Sequence, residues 1–438
     1  MSPAAIDAAA AGAAARPTES EIELGLNSGL DPGLHLGHQP GPQPPTRWAS
    51  GEAAALHTRV EALAQALAAT AVERDRAGGH AAAERERIKA SGLLALSIER
   101  EWGGWGADAA TWLRMVRRLA EVDSALAHVF AFHHLQLATV RLYGTAEQQR
   151  RLIAGTLDSG AFWGNALNPL DRRTRATRTA GGWRLDGTKS YCSGSVGSDW
   201  LTVSAWHEDS SSLLIGVLPT RTAGVTVQAD WDAFGQRQTD SGTVRFDGVR
   251  LPDADVLVAP GTTPSVRGTL RPLLAQSVLT QLYLGLARGA FDAGRHFVVE
   301  QARPWFSAGV ARAADDPLVQ HRWGEWSVGL RAAELLAIDA AAQLQQALDA
   351  GEAVTAEQRG HAALATAQAK AAAHRIGLDI ASNLFETTGA RATSERLGLD
   401  RYWRNLRVHT LHDPLDQKLR DLGRHALDGR LPEPSPYS

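Results

Sequence analysis

The sequence predicts an α+β protein in which a helical region is followed by a small antiparallel β domain and then by a four-helix bundle. Hydrophobic residues have helical spacing over residues 52–157 and again from residue 269 onward, whereas apolar and polar residues alternate over much of 161–260. Because strands and helices do not alternate along the chain, a parallel α/β sheet is disfavoured. The predicted parts are a leader over residues 1–45, a helical domain over 46–158, a β domain over 159–262 and a helical bundle over 263–438.

The composition excludes several classes of protein. The chain has 438 residues, of which 44% are hydrophobic, and a net charge of -3, which argues against a general affinity for nucleic acid or anionic membranes. Its longest apolar runs are far shorter than the ~20 residues that span a bilayer. Cys192 is the single cysteine, so the chain has no internal disulfide and no cysteine-based zinc site. These features predict a cytoplasmic protein.

The first helical region carries its own boundary signals. Gly78 and Gly79 interrupt a run of strong helix formers. Asp108 precedes a later helix and has the side chain of a good N-cap. Downstream of it, Trp112 and Val116 recur at helical spacing and predict the buried face of that helix.

The β region contains two recognisable strand patterns. Residues 182–194, GWRLDGTKSYCSG, predict a strand, a turn at Asp-Gly and a second strand. In residues 242–252, Val244 and Phe246 alternate with charged residues and predict one buried face.

The C-terminal region predicts a bundle and a capped final helix. Four segments have helical composition and spacing, namely residues 269–302, 322–348, 356–386 and 414–427. Within HTLHDPLDQK, residues 409–418, Asp413 precedes Pro414, and proline is favoured in the first turn of a helix. We therefore expect Asp413 to cap the last helix with its carboxylate and Gly429 to end it.

Four segments, taken in order, resemble the acyl-CoA dehydrogenase superfamily of flavoproteins. They are residues 101–127, 182–194, 234–252 and 396–414. Shorter stretches are most similar to the two-component flavin monooxygenases of the dibenzothiophene and sulfur-acquisition type. These stretches are WGNALN, YCSGS, ARPW, TGAR and RVHTLHDP.

The resemblance implies a flavin-dependent monooxygenase with the acyl-CoA dehydrogenase fold. Such an enzyme takes reduced FMN from a separate NAD(P)H-flavin reductase and uses O2 to form a C4a-hydroperoxyflavin. It then oxygenates a small organosulfur compound or a related soft nucleophile. The resemblance also implies a homotetramer. The rival interpretation is an FAD-dependent acyl-CoA dehydrogenase.

The two interpretations differ at one position. The glutamate that acts as base in the dehydrogenases aligns with Asp413, and a carboxylate held as a helix cap is a poor base. His409 and His412 precede the same helix, whose partial positive charge favours an anion and a neutral imidazole nearby. We expect His412 to hydrogen-bond or protonate the flavin peroxide and His409 to orient neighbouring groups. A metal site is disfavoured because no further ligands have suitable spacing.

The resemblance also assigns residues around the flavin ring. Tyr191 matches a flavin-stacking aromatic, and Ser193 matches a threonine whose hydroxyl faces flavin N5. Asn165 is placed to donate to the flavin or the peroxide. His134, beside His133, matches a histidine on the substrate or peroxide side, with helix packing as the alternative.

Two arginines match residues that bind the flavin phosphate. Arg303 lies in QARPWF and Arg391 in TTGAR. Guanidinium groups pair bidentately with phosphate. The FAD-dependent relatives have a glycine-rich stretch where this chain has Arg391, and this difference favours FMN over FAD. Three aromatic residues are candidates for a substrate pocket, namely Trp231, Phe234 and Trp323.

Overall fold

Helices form the N-terminal part of the protein. The structure is a computed structural model that describes residues 50–207 and 212–438, so the predicted leader lies outside the described residues. The helices before the sheet are α1 Ser50–Ala68, α2 Ala71–Ala77, α3 Ala82–Ala90, α4 Ala109–Val122, α5 Ser124–Tyr143 and α6 Ala146–Ser159. As predicted, Gly78 follows the end of α2 with φ 65°, and the Asp108 carboxylate caps α4 by accepting from the N–H of Thr111 at 2.8 Å.

The described residues between α6 and residue 260 form one sheet. Its strands are β1 Trp163–Ala166, β2 Arg175–Thr179, β3 Gly182–Lys189, β4 Trp200–His207, β5 Leu213–Pro219, β6 Val225–Val227, β7 Val244–Pro252 and β8 Val256–Val258. The order is β6-β7-β3-β2-β4-β5-β8, with β1 paired to β4. Most pairs are antiparallel, as predicted, but β1 and β2 both run parallel to β4. Val244 and Phe246 point into the core, as their alternation indicates.

The predicted turn at Asp186 and Gly187 is wrong. Strand β3 continues through both residues and pairs with β7 on either side of them, with a register shift between Leu185 and Gly187. Gly187 has φ 126°, and a Cβ there would lie 2.1 Å from the carbonyl oxygen of Arg173. A β-bulge accommodates the extra residue without ending the strand, so the glycine serves a bulge here.

Five further helices follow the sheet within the described chain. They are α7 Leu270–Glu300, α8 Pro317–Asp349, α9 Ala356–Thr388, α10 Asp400–Thr410 and α11 Leu415–Asp428. Helices α7, α8, α9 and α11 correspond to the four predicted segments. Helix α10 was not predicted, and it carries His409 in its last turn. Gly429 ends α11 in the left-handed conformation, as expected.

Helix α5 packs against both the helical parts and the sheet. It is buried around almost its whole circumference, as expected for a helix with apolar residues on all sides. One large hydrophobic cluster joins α5 to α1, α4 and the helices after the sheet, and a second joins it to β1 and β5. The helices of the described ranges include none that is long and apolar enough to cross a membrane.

Candidate functional site

The corner between α10 and α11 brings two histidines and an aspartate together. Helix α10 ends at Thr410, and the N–H of His412 donates to the carbonyl of His409 at 3.0 Å. The Tyr283 hydroxyl of α7 donates to the same carbonyl at 2.8 Å. His409 is buried, whereas the side chain of His412 is 38% exposed. One imidazole therefore lies inside the protein and the other at its edge.

The prediction that Asp413 caps α11 is wrong. Pro414 occupies the N-cap position of that helix, and no side chain caps it. Instead, one carboxylate oxygen of Asp413, Oδ1, accepts from Lys370 Nζ of α9 and lies 3.1 Å from His412 Nδ1. Burial opposes ionisation of Asp413, but the hydrogen bond from His412 and the charge of Lys370 outweigh it. They hold the pKa of that carboxyl well below its usual range.

His409 contacts a histidine that the sequence did not single out. The ring of His128 in α5 lies 4.8 Å from that of His409 and stacks on Phe132 at 4.0 Å. Neither ring nitrogen of His128 has a hydrogen-bond partner among the described residues. Burial, with the neighbouring charges of His412 and Lys370, lowers the pKa of His409 to about 3, and burial also lowers the pKa of His128 well below its usual value. Both imidazoles are therefore neutral near pH 7.

The loop before β7 links this corner to the sheet. Gln236 Nε2 lies 3.3 Å from His409 Nδ1 and donates to Ser124 Oγ at 3.1 Å, while the Gln236 N–H donates to Asn405 Oδ1 at 2.6 Å. Gln236 and Asp240 both have positive φ, 53° and 50°. Such conformations are uncommon outside glycine and concentrate at functional sites, where surrounding contacts stabilise them.

A chain of hydroxyl groups extends from this loop to the predicted flavin-facing residues. Thr239 Oγ1 donates to the Gln236 carbonyl at 3.0 Å and lies 2.8 Å from Ser241 Oγ, which in turn lies 3.0 Å from Ser193 Oγ. The N–H of Asn165 donates to the Ser193 carbonyl at 2.9 Å. The structure therefore connects Ser193 and Asn165 with each other and, through Gln236, with His409.

Tyr191 and Cys192 occupy opposite environments. Tyr191 has φ 60° and is 66% exposed, with its ring edge-on to Trp231 at 6.0 Å between centroids. Cys192 is buried in the sheet core, where burial raises the pKa of its thiol to about 12. A large exposed ring at a position with positive φ is an uncommon combination, so Tyr191 remains a candidate for a ligand contact.

A buried ion cluster fixes the same loop from the other side. Asp240 Oδ2 accepts from Arg85 of α3 at 3.1 Å and lies 2.8 Å from His80 Nδ1. Arg85 also donates to the carbonyl of Gly194 at 3.3 Å. These contacts join the two loops that carry Gln236 and Ser193. The sequence did not single out Asp240, although this residue lies in the segment 234–252 that carries the family resemblance.

His133 and His134 lie on a different part of α5 from His128. His133 uses both ring nitrogens within the protein: Nε2 lies 2.9 Å from the Leu94 carbonyl, and Nδ1 accepts from the N–H of Trp163 at 3.3 Å. His134 Nδ1 lies 2.9 Å from Ser97 Oγ. Among the described residues, no hydrogen bond joins His134 to the corner that contains His409.

The two predicted phosphate-binding arginines are exposed and lie in neighbouring loops. Arg391, in a short 3-10 turn after α9, donates to the carbonyl of Gln301 at the end of α7. Arg303 lies two residues further along that loop. Within the described part of the chain, no hydrogen bond or ion pair joins either guanidinium to the corner or to Ser193.

The aromatic candidates divide between two places. Trp231 Nε1 donates to the Gln236 carbonyl at 2.9 Å, and Phe234 stacks on Trp403 at 5.9 Å. Trp323 instead packs against Phe291 at 4.6 Å, where α7 meets α8. The described residues contain no group of three or more histidine, cysteine, aspartate or glutamate side chains that could hold a metal ion.

Three family models match the chain in the order that the fold requires. They are the acyl-CoA dehydrogenase N-terminal domain over residues 50–159, the middle domain over 164–249 and the C-terminal domain over 277–417. The matched segments correspond to the first helices, the sheet and the helices that follow it.

Relatives and solved structures indicate a branch of this superfamily. The chain is 46% identical over 377 residues to the probable FMNH2-dependent monooxygenase SfnC of Pseudomonas putida, covering 86% of this chain and 95% of the relative. It is 43% identical over 387 residues to a dibenzothiophene monooxygenase of Rhodococcus erythropolis, with coverages of 85% and 93%. The structure of the methanesulfinate monooxygenase MsuC of Pseudomonas fluorescens superimposes with a TM-score of 0.85 at 47% identity, covering 87% of this chain and 99% of MsuC. The chain therefore belongs to the acyl-CoA dehydrogenase superfamily, in the branch that includes these flavin-dependent monooxygenases.

Proposed function

We propose that this chain is a two-component, FMN-dependent monooxygenase that uses reduced flavin and O2 to oxygenate a small organosulfur compound or a related soft nucleophile. The paired state of Asp413 carries the proposal. A dehydrogenase needs a carboxylate that can take a proton from carbon, whereas Asp413 is bound by Lys370 and His412 and its pKa is lowered. The rival, an FAD-dependent acyl-CoA dehydrogenase, would require this carboxylate to leave both partners.

The residues present fit a flavin on chemical grounds. Both nitrogens of His128 and the Oε1 of Gln236 are buried without partners among the described residues, and a polar ligand would satisfy such groups. The nearby hydroxyl chain ends at Ser193, which can donate to a ring nitrogen. When bound, the reduced flavin supplies the electrons with which O2 is activated.

The sheet side of the site holds the flavin ring in this proposal. Ser193 would donate a hydrogen bond to the ring, and its hydroxyl lies 3.0 Å from Ser241 Oγ, which would orient it. The exposed ring of Tyr191 would pack against the isoalloxazine. Asn165 lies beside Ser193 on β1, and its side chain can turn toward the ring edge or the oxygen from its present contact with the Leu167 N–H at 3.2 Å.

The helical side of the site handles the proton. His412 keeps Nδ1 directed at Asp413, which leaves Nε2 for a proton at the reacting oxygen. His409 and His128 are neutral and line the buried side, where they orient the substrate and exclude water. We assign the role expected for His134 to His128 instead, because His128 contacts His409.

Arg303 and Arg391 bind the FMN phosphate in this proposal. Two exposed guanidinium groups in neighbouring loops suit a terminal dianion. Arg391 replaces a glycine-rich stretch of FAD-dependent relatives, which supports FMN over FAD.

The proposal extends to partners and location. A separate NAD(P)H-flavin reductase supplies the reduced flavin, and the enzyme is a cytoplasmic homotetramer, as the resemblance implies. Exposed apolar side chains such as Trp305 at 70% and Phe306 at 87% support burial of this loop against another subunit.

Turnover in the presence of 18O2 tests the proposal. Purified protein, FMN, NADH and a flavin reductase are incubated with alkylsulfinates, thioethers and dibenzothiophene, and the products are analysed by mass spectrometry. We expect one labelled oxygen atom in the product and no product when the protein is omitted.

The same preparation distinguishes the rival. Mixing the oxidised flavoprotein anaerobically with a panel of acyl-CoA esters should leave the flavin spectrum unchanged. Substrate-dependent bleaching of the flavin, without oxygen incorporation in the first experiment, would reverse the choice.

A further inference from the structure

We propose that Lys370 and Asp413 form a positioning pair that sets the protonation of His412, an inference that rests on the proposed function of His412 as the proton-carrying group. Both partners bind the same carboxylate oxygen: Lys370 Nζ donates to Asp413 Oδ1, and His412 Nδ1 lies 3.1 Å from it. The lysine and the imidazole therefore share one negative charge. A change in either one must alter the hydrogen bond of the other.

The burial of the pair makes this coupling strong. The side chains of Lys370 and Asp413 are 2% and 6% exposed, whereas that of His412 is 38% exposed. Two buried charges interact in a medium of low dielectric constant, and removing one leaves the other uncompensated. The charges of the pair can therefore affect the protonation of His412, whose imidazole reaches the surface.

Lys370 is held in place from two directions. Its ammonium also donates to Gln276 Oε1 of α7 at 2.5 Å, and alanines precede and follow it along α9. Burial lowers the pKa of Lys370 to about 8, against the opposing charge of Asp413. At pH 7 the pair is therefore ionised, and Asp413 remains an acceptor that keeps the His412 proton on Nδ1.

Other ionisable groups surround the pair on every element that packs against it. They are Tyr283 of α7, His374 of α9, His409 of α10, Lys418 of α11 and Tyr437 of the C-terminal segment, and His128 of α5 faces His412. Lys418 Nζ lies 4.0 Å from Asp413 Oδ2. Because Lys418 lies farther from the Asp413 carboxylate than Lys370 does, replacing Lys418 should have a smaller effect than replacing Lys370.

Replacing Lys370 and replacing Asp413 should shift the protonation midpoint of His412 in opposite directions. In Lys370→Met a positive charge near His412 is lost, so its imidazolium form is favoured and its protonation midpoint moves to higher pH. In Asp413→Asn the negative charge is lost while Lys370 remains, so the midpoint moves to lower pH. We expect shifts of about one pH unit in each direction, a smaller upward shift in Lys418→Met, and no shift in Lys89→Met, whose ammonium lies near Glu86 and Asp199.

Carbethoxylation by diethylpyrocarbonate measures this midpoint without turnover. The reagent modifies neutral imidazole, and mass spectrometry of the peptide that contains His412 gives the rate at each pH. The whole protein is used, and only preparations with a cooperative unfolding transition are compared. Because a buried charge left alone can prevent folding, the double variant Lys370→Met/Asp413→Asn is included, and its midpoint should return toward that of the unmodified chain.

Turnover profiles complete the test. The positioning role is supported if the two single variants shift the protonation midpoint of His412 in opposite directions and one limb of the pH profile of turnover moves with it. Absent shifts, or shifts of the same sign in both single variants, overturn it, as does a turnover profile that does not follow the midpoint. Opposite shifts in a protein without oxygenation activity would support the pair and reject the proposed function alone.

Discussion

Two groups of histidines meet α5, and they use their ring nitrogens differently. In the inner cluster, His133 and His134, His133 contacts the Leu94 carbonyl and the Trp163 N–H through its two ring nitrogens. His134 contacts the Ser97 hydroxyl through Nδ1, and its buried Nε2 has no partner among the described residues. In the corner cluster, His128, His409 and His412, the nitrogens of His128 have no partner among the described residues, and His412 reaches the surface. His133, whose nitrogens are both bound, stabilises the fold, whereas His128 and His412 combine unused nitrogens with contacts to the corner at His409 and Asp413, where a ligand can use them.

The largest expected effect is a loss of turnover when His412 of the corner cluster is replaced. We expect His412→Gln to lower oxygenation turnover by about 10²- to 10⁴-fold, the usual contribution of a general acid or base. Stability should change by only about 0.5 kcal/mol, because the side chain is partly exposed and glutamine can still donate to Asp413. Product formation with excess reductase and urea unfolding measure the two quantities.

His361→Gln is the matched control for this variant, because His361 is an exposed histidine of α9 that lies near Glu357. It should leave both quantities unchanged. A His412→Gln protein with the turnover of the control would remove the distinction between the clusters.

The next largest effect is a loss of stability when His133 of the inner cluster is replaced. We expect His133→Ala to lower the free energy of unfolding by about 3 kcal/mol, because it leaves a cavity and two buried backbone groups without partners. Turnover per folded molecule should fall far less than in His412→Gln. His133→Gln, which can still donate to Leu94, should lose less stability. Equal losses of turnover in His133→Ala and His412→Gln would break the comparison.

A pH dependence of stability follows from the same burial. Burial lowers the pKa of His133 to about 4, so between about pH 4 and 6.5 the unfolded chain binds a proton that the folded protein refuses. Stability therefore rises with pH in this window and is lost as pH falls, by on the order of 3 kcal/mol for His133 alone. Burial raises the pKa of Glu121 to about 7, which acts in the opposite direction.

A comparison of the unmodified chain with His133→Gln isolates the contribution of His133 to the pH dependence of stability. Urea unfolding of the unmodified chain and of His133→Gln at several pH values should give a steeper acid loss for the unmodified chain. Parallel curves would show that His133 does not titrate as its burial indicates.

The sequence was sufficient for the order of elements and for several boundaries. Strong local signals, such as the Asp108 cap and Gly429, act within one turn of chain and were read correctly. Asp186-Gly187 was misread because the same dipeptide suits a hairpin turn and a bulge. Only the pairing of β3 with β7 on both sides distinguishes them.

The candidate site was only partly predictable, for a similar reason. Asp413 has the local setting of a helix cap, yet a lysine 43 residues away determines its contacts. Lys370 did carry a signal, because it is a lone charged residue within an alanine-rich stretch of α9. His128 gave none, since its proximity to His409 depends on how α5 packs against α10.

The smallest effects come from the residues that orient one histidine of each cluster. Ser97 Oγ lies 2.9 Å from His134 Nδ1, and Gln236 Nε2 lies 3.3 Å from His409 Nδ1. We expect Ser97→Ala to cost about 1 kcal/mol of stability with little change in turnover, and Gln236→Met to lower turnover about three- to tenfold. Methionine, like glutamine, is unbranched at Cβ and of similar length, so this substitution should add no backbone strain at a position with positive φ. Turnover and urea unfolding are measured on both variants. A loss of turnover that occurs only in Ser97→Ala would assign the reacting site to the inner cluster, because a hydroxyl with a purely structural role should affect stability more than turnover.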